Sequence, residues 1–462
     1  MVSRSSYLNR LVFDGINCER DSSARIQIDV LPGGPEIFEL VVKFCYGWKV
    51  DLTAANVAPL YCAANFLEMS EDFEPGNLLS KASAFLSFTI FSSWKDTFRI
   101  LKSCESISSW ARELQIPKYC SEAVAWKACT NLRAISSGND DAQFIDILAN
   151  NSSESNLENA TETWWFEDVS HLRIDHFIEV IVSIKGKRIR PELVGSCVAY
   201  WTSKWLSQIT FRNTMLRNKD ITYQAQRITI ECLIRILPVD QNSVAFNFLL
   251  RLLKVAVAMK INSKLLIELE TRTAFTLKRC CPQDLLIKNG EDEDTIYDVV
   301  LITRVIRAYV SSVSRNPASK TFAVGRLVDE YLTLVAKDEK LKAKDFQSLA
   351  EALPKRSRYS NDNLYRAIDM FLKAHPNLTE EERTVLCKAM DYHKLSQEAR
   401  EHMMKNDRLP LSFTTRFILF EQVNMARSMT AAGCNYHWTK FQTIMRVSRG
   451  LDKRLDEISK GN

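Results

Sequence analysis

The chain has 462 residues, 46% of them hydrophobic and 25% charged, with 61 Lys and Arg against 56 Asp and Glu for a formal charge of +5. That composition belongs to a folded protein and excludes a disordered one. Charge spread so thinly argues against nucleic-acid binding, which needs Lys and Arg clustered on phosphates. Thirteen glycines and twelve prolines are too few for a turn-rich all-β protein and suit long helices joined by short loops, so a mainly α fold of two or three domains is expected.

Met1 to Tyr7 lacks the apolar core of a secretory leader, and no stretch is long and pure enough to span a bilayer. Val244 to Ile261 comes nearest, but Arg251 and Lys254 interrupt it. The expected location is cytoplasmic, with at most peripheral membrane association. Arg25 to Val30 alternates polar and apolar side chains, the pattern of a half-buried strand, and ends at the turn residues Pro32-Gly33-Gly34-Pro35. Ile37, Phe38, Leu40, Val41, Phe44 and Cys45 then recur at helical spacing, with Gly47 as a stop. Further helices are predicted at Ala54–Met69, Leu78–Phe88, Trp94–Cys104 and Tyr119–Leu132, with the faces around Phe38–Phe44 and Ala54–Phe66 assigned to the core.

Ser136 to Thr163 holds six acidic residues and no Lys or Arg, which reads as a solvated connector and a domain boundary. Helical periodicity resumes after Trp164-Trp165-Phe166-Glu167-Asp168. It is plainest at Val299, Ile302, Ile306 and Tyr309, and again at Val324, Leu327, Val328, Tyr331 and Val335. Asn289 to Asp294 is read as an acidic loop and Ser311 to Lys320 as a break. Near the end, Phe441, Ile444, Leu451, Leu455 and Ile458 lie near heptad spacing, which predicts a helical tail over 436–460 that could form a short coiled coil.

Reaction chemistry is hard to find in this pattern. Neither G-x-G-x-x-G nor G-x-x-x-x-G-K-[ST] occurs, and the proline-flanked Gly33-Gly34 is a turn rather than a phosphate cradle. Six histidines and twelve cysteines form no H-E-x-x-H and no C-x-x-C. Cys45, Cys62, Cys104, Cys197 and Cys232 lie in apolar segments and read as reduced core thiols. Cys387, His393, His402 and Asp407 are the densest group of reactive types, but Cys387 lies in an apolar helical pattern and reads as structural. No catalytic residue, metal or cofactor is assigned. Two basic runs, Lys185 to Arg190 and Lys355-Arg356-Ser357-Arg358, read as solvated loops able to meet phosphate or an acidic peptide.

Several segments resemble one plant family, the BTB/POZ proteins named for non-phototropic hypocotyl three and root phototropism two. In the first half these are Leu31 to Pro35, Phe44-Cys45-Tyr46-Gly47, Asn56-Val57-Ala58, Leu67-Glu68-Met69, Gly76-Asn77-Leu78 and Ser93-Trp94-Lys95-Asp96. In the second they are Trp164 to Asp168, Leu364 to Asp369, His375-Pro376, Lys394-Leu395-Ser396, Asn406 to Leu411 and Phe420-Glu421-Gln422. The resemblance implies a partial BTB/POZ domain with trailing helices over 1–135, an acidic linker over 136–161, and a helical domain over 162–428 ahead of the tail. Relatives carry two strands and a helix ahead of the segment like Ser3 to Leu8, so a shortened BTB domain is expected, with weaker homo- or hetero-dimerisation and cullin binding.

The implied function is that of a substrate-recruiting adaptor of a cullin-RING ubiquitin ligase, acting in light, auxin or developmental signalling. Its partners would be a cullin scaffold and a target such as a photoreceptor or transporter regulator. The alternative is a plasma-membrane signalling scaffold that delivers no ubiquitin. Asn406, Asp407, Arg408, Arg356 and Arg358 are the expected partner-binding residues, and Ser357, Tyr359 and Ser360 the expected phosphorylation sites.

Overall fold

A computed structural model describes residues 1–18, 28, 30–130, 163–213, 220–240, 242–289, 295–313 and 322–431. These contain twenty α-helices, and their only β pairing is an isolated antiparallel bridge between Lys288 and Tyr297. The mainly α expectation is met. The strand expected over Arg25–Val30 falls mostly outside the described residues, as do the linker 136–161, most of the loop at Asn289 to Asp294 and the tail 436–460.

Chain contacts divide the protein into two units, Met1–Phe248 with Val255–Leu266, and Leu249–Lys254 with Ile267–Asn462. The first begins with α1 (Ser6–Cys18), α2 (Gly34–Cys45), α3 (Val57–Phe66), α4 (Leu78–Ser92), α5 (Trp94–Ser103), α6 (Ser108–Glu113) and α7 (Ile116–Cys129). After the acidic segment come α8 (Phe166–Ser170), α9 (Ile174–Gly186), α10 (Pro191–Asn213) and α11 (Asp220–Ile236). The division between the units runs through α12 (Phe246–Ala258) and α13 (Ser263–Thr276). The second unit continues with α14 (Val299–Val313), α15 (Phe322–Val335), α16 (Ala343–Ala350) and α17 (Asp362–Ala374). It closes with α18 (Glu380–Cys387), α19 (Gln397–Met404) and α20 (Leu411–Ala431).

In the first unit α3 is the central helix. Val57, Ala58, Leu60, Cys62, Ala63 and Ala64 are all buried, and the small side chains among them let neighbouring helices approach closely. Leu8, Val41, Phe44, Leu67, Met69 and Leu78 complete this core, so the faces assigned to it in α2 and α3 are indeed buried. Gly33 shows why the Leu31–Pro35 turn needs glycine: its φ is 81°, and a Cβ there would run into Ile37. Pro35 then sits at the first turn of α2, where its missing N–H has no helical partner to lose.

Helix α1 had no counterpart among the predicted elements. It is fixed at both the local and the tertiary level: buried Ser5 accepts from Leu8 N at 3.1 Å and donates to Leu67 O at 2.6 Å. Of the break expected over Ser311 to Lys320, Ser311 to Val313 instead complete α14, and the rest lies outside the described residues.

Helices from both sides of the acidic segment share the first unit, and α9 packs along α7. The indole N–H of Trp94, at the start of α5, donates to Asp168 Oδ2 at 2.7 Å, and its ring lies 4.6 Å from that of Trp164. Two motifs 74 residues apart, Ser93–Asp96 and Trp164–Asp168, therefore meet in space. In the second unit, α15 and α17 form the core with Val324, Val328, Tyr331, Ile368 and Phe371, and Phe346 of α16 stacks on Phe371 at 4.3 Å.

Candidate functional site

The five expected partner-binding residues separate into two structural classes. Asn406 is buried beneath the turn that follows α19. Its side-chain amide donates to Asp369 Oδ1 at 2.6 Å and to the Tyr365 hydroxyl at 3.2 Å, while its Oδ1 accepts from Arg408 N at 3.2 Å. Arg408 donates through Nε and Nη2 to the same Asp369 oxygen at 3.0 and 2.8 Å. Tyr365 O–H is 2.7 Å from His402 Nδ1, and burial raises the phenol above its ordinary pKa. Glu380, at the start of α18, accepts from Leu411 N at 2.8 Å and so holds the start of α20. Tyr365, Asp369, Asn406 and Arg408 thus form one network joining α17 to the turn between α19 and α20. Asp407 and Arg408 are both exposed in that turn, but only Arg408 is tied to Asp369.

The other basic segment is split in the same way. Arg356 is exposed. Arg358 is buried, with Nε 2.8 and 3.0 Å from the two carboxylate oxygens of buried Asp329 and Nη2 donating to Ala350 O at 3.1 Å. Burial pushes the Asp329 carboxyl up to about 6 against the pull of the Arg358 charge. A Cβ at Gly325 would run into Ser357 O, so glycine is what lets α15 lie against this turn. The run Lys355 to Arg358, read as a solvated loop, therefore places its last two residues inside: Ser357 and Arg358 are 1% and 5% exposed. Their burial could not be read from composition, because the partner carboxylate lies 29 residues upstream. Tyr359 is exposed and stacked on Phe322 at 3.6 Å, and exposed Ser360 accepts from Asp362 N at 3.1 Å.

The thiol group has no activating surroundings. Cys387 is buried, and burial pushes its pKa up to about 12, which keeps it a thiol at neutral pH. His402 is bonded to Tyr365, and His393 packs against Tyr392 and Phe420. Among the described residues no group of three or more His, Cys, Asp or Glu is placed to hold a metal ion, and no helix is long and apolar enough to cross a membrane.

One surface was missed by sequence reasoning. Helix α4 buries Leu78, Ala82, Leu86 and Ile90 on one face and leaves Phe88 and Phe91 71% and 67% exposed on the other. Its neighbour α7 exposes Tyr119 and Trp126, one residue pair seven positions apart and so on one helical face. The signal was present as aromatics at Phe85, Phe88 and Phe91, three apart, but the helix predicted there ended at Phe88, one turn short of the observed end at Ser92.

The fold and the network define a mainly α-helical protein whose signature side chains lock helix ends together. Residues 163–400 match the NPH3 family. The chain is 36% identical to Root phototropism protein 3 of Arabidopsis thaliana, an alignment covering 93% of this chain and 72% of that one. It is 34% identical to Coleoptile phototropism protein 1 of Oryza sativa subsp. japonica, over 94% and 72% of the two chains. It is also 34% identical to BTB/POZ domain-containing protein DOT3 of Arabidopsis thaliana, over 93% and 70%. The chain belongs to the NPH3 family of plant BTB/POZ proteins.

Proposed function

We propose that the chain is a non-enzymatic adaptor that brings a target protein to a cullin-based ubiquitin ligase, in phototropic or related signalling. The observation that carries this reading is the outer face of α4. A helix apolar on both faces is stable when both are covered, yet Phe88 and Phe91 stand in solvent, as do Tyr119 and Trp126 on the neighbouring helix α7. Aromatic side chains left exposed on adjoining helices mark a protein-binding surface, and a BTB/POZ protein has a cullin scaffold as the natural occupant. The phototropism names of the relatives supply the setting. An adaptor needs no reactive group, since raising the local concentration of target beside a separate ligase is sufficient.

Within this reading the exposed Arg356 and Asp407 are the target-facing candidates. The buried Asn406 and Arg358 hold the surface that presents them, and Arg408 does so through Asp369. Phosphorylation is assigned to Tyr359 and Ser360, the exposed hydroxyls of the three expected, and peptide mass analysis of protein from light- and dark-grown tissue tests it. Work in the cytoplasm, with peripheral recruitment to the plasma membrane, completes the proposal. The decisive experiment is turnover of a bound partner in cells expressing the full chain or its Phe88→Asp/Phe91→Asp variant. Cullin-dependent turnover that the variant loses supports the adaptor; a stable bound partner under both conditions supports a signalling scaffold instead.

A further inference from the structure

The second unit carries a groove that the adaptor reading does not use. It encloses about 770 Å³ between α13 and α14, with α16 closing one side, a size in the range of ligand-binding clefts. Ile267 and Phe275 line it from α13 and Val300 and Ala308 from α14; Ile267 is 61% and Val300 64% exposed. The α14 face runs from Val300 to Ser312, about 18 Å at 1.5 Å per residue, which is the length of five or six residues of extended chain.

The polar groups define what would fit. Arg304 is paired with Glu270 across the groove. Arg307, exposed, gives Nη2 to a neutral partner, Ser348 Oγ, at 2.7 Å. Thr271, Thr303, Ser311 and Ser312 each donate their hydroxyl hydrogen to the carbonyl four residues back in their own helix, at 2.7, 2.8, 2.9 and 2.8 Å. What these hydroxyls offer a ligand is therefore lone pairs. A phosphate, which brings acceptors, meets acceptors; an extended peptide, which brings main-chain N–H groups, meets partners. Asp345 also faces the groove, and with Glu270 it disfavours a ligand of high negative charge.

We propose that this groove binds an extended peptide segment of a partner protein, with apolar side chains against Ile267, Val300 and Phe275 and a single Asp or Glu on Arg307. The inference stands whether or not the partner is subsequently ubiquitinated, so its failure and that of the adaptor reading are distinguishable.

The test is selection of a displayed random twelve-residue peptide library on the full chain, followed by fluorescence anisotropy with the resynthesised peptides. The expected sequences combine aliphatic or aromatic residues with one acid. Arg307→Glu and Val300→Asp each weaken binding at least tenfold, Arg307→Lys retains most of it, and exchanging the peptide's acid for Lys restores binding to Arg307→Glu. Melting by circular dichroism checks that the variants fold; should Arg307→Glu not, Val300→Asp at an exposed position carries the test. Three results would overturn the proposal: no peptide selected, peptides that bind every folded variant equally, or binding displaced by millimolar inorganic phosphate.

Discussion

The second unit holds two Asp–Arg pairs of the same chemistry and opposite accessibility. Asp329 and Arg358 have side chains 3% exposed each, whereas Arg408 and Asp369 are 43% and 19% exposed. The first pair is paid for by desolvation of both charges, and its value lies in locking the Lys355–Arg358 turn against α15. The second adds little by itself, and its stability comes from Asn406, which fills the buried side of the same carboxylate. A signature arginine can thus be a core element or a rim element, and the charge alone does not say which.

The largest effect expected from this contrast is on Arg358. Arg358→Met leaves the Asp329 carboxylate buried and unpaired, and chemical denaturation should show a loss of about 3–5 kcal/mol, while Asp329→Leu/Arg358→Met together should recover most of it. Asn406→Ala comes next: it removes buried donors to Asp369 and Tyr365 and should cost about 1–3 kcal/mol by the same measurement. Arg408→Ala, at the solvent-facing pair, should fall below about 1 kcal/mol.

A pH series sharpens the comparison. The Asp329 pKa is raised from 3.8 to about 6 in the folded protein, so the folded state holds its proton more tightly than the unfolded chain. This group's contribution to stability is therefore full below about pH 4 and is lost as pH rises through 6. Asp329→Asn should remove that slope, measured as melting temperature between pH 4 and 7. The smallest stability effect is expected at α4: Phe88→Asp should leave the melting temperature nearly unchanged, because the ring is in solvent, and should change partner binding instead.

What the sequence made legible followed the distance over which each signal acts. Helices α2 to α5 were visible because apolar spacing and caps are local; Asn77 and Ser93 accept from backbone N–H groups at the starts of α4 and α5. Helix α1 was not, since what fixes it is Ser5 on Leu67 O, 62 residues away. The meeting of Trp94 with Trp164 and Asp168 and the burial of Arg358 on Asp329 were likewise settled by tertiary partners. The Asn406–Leu411 segment could be singled out as important but not sorted into buried Asn406 and exposed Asp407, because adjacent residues in a turn point to different surroundings.

Docking of a cullin scaffold on the aromatic faces of α4 and α7 is best checked by biolayer interferometry of the full chain against a purified cullin N-terminal region. Saturable binding is expected, weakened at least tenfold by Phe88→Asp/Phe91→Asp and left unchanged by Arg356→Ala. Absence of binding, or equal binding by all three proteins, would contradict it.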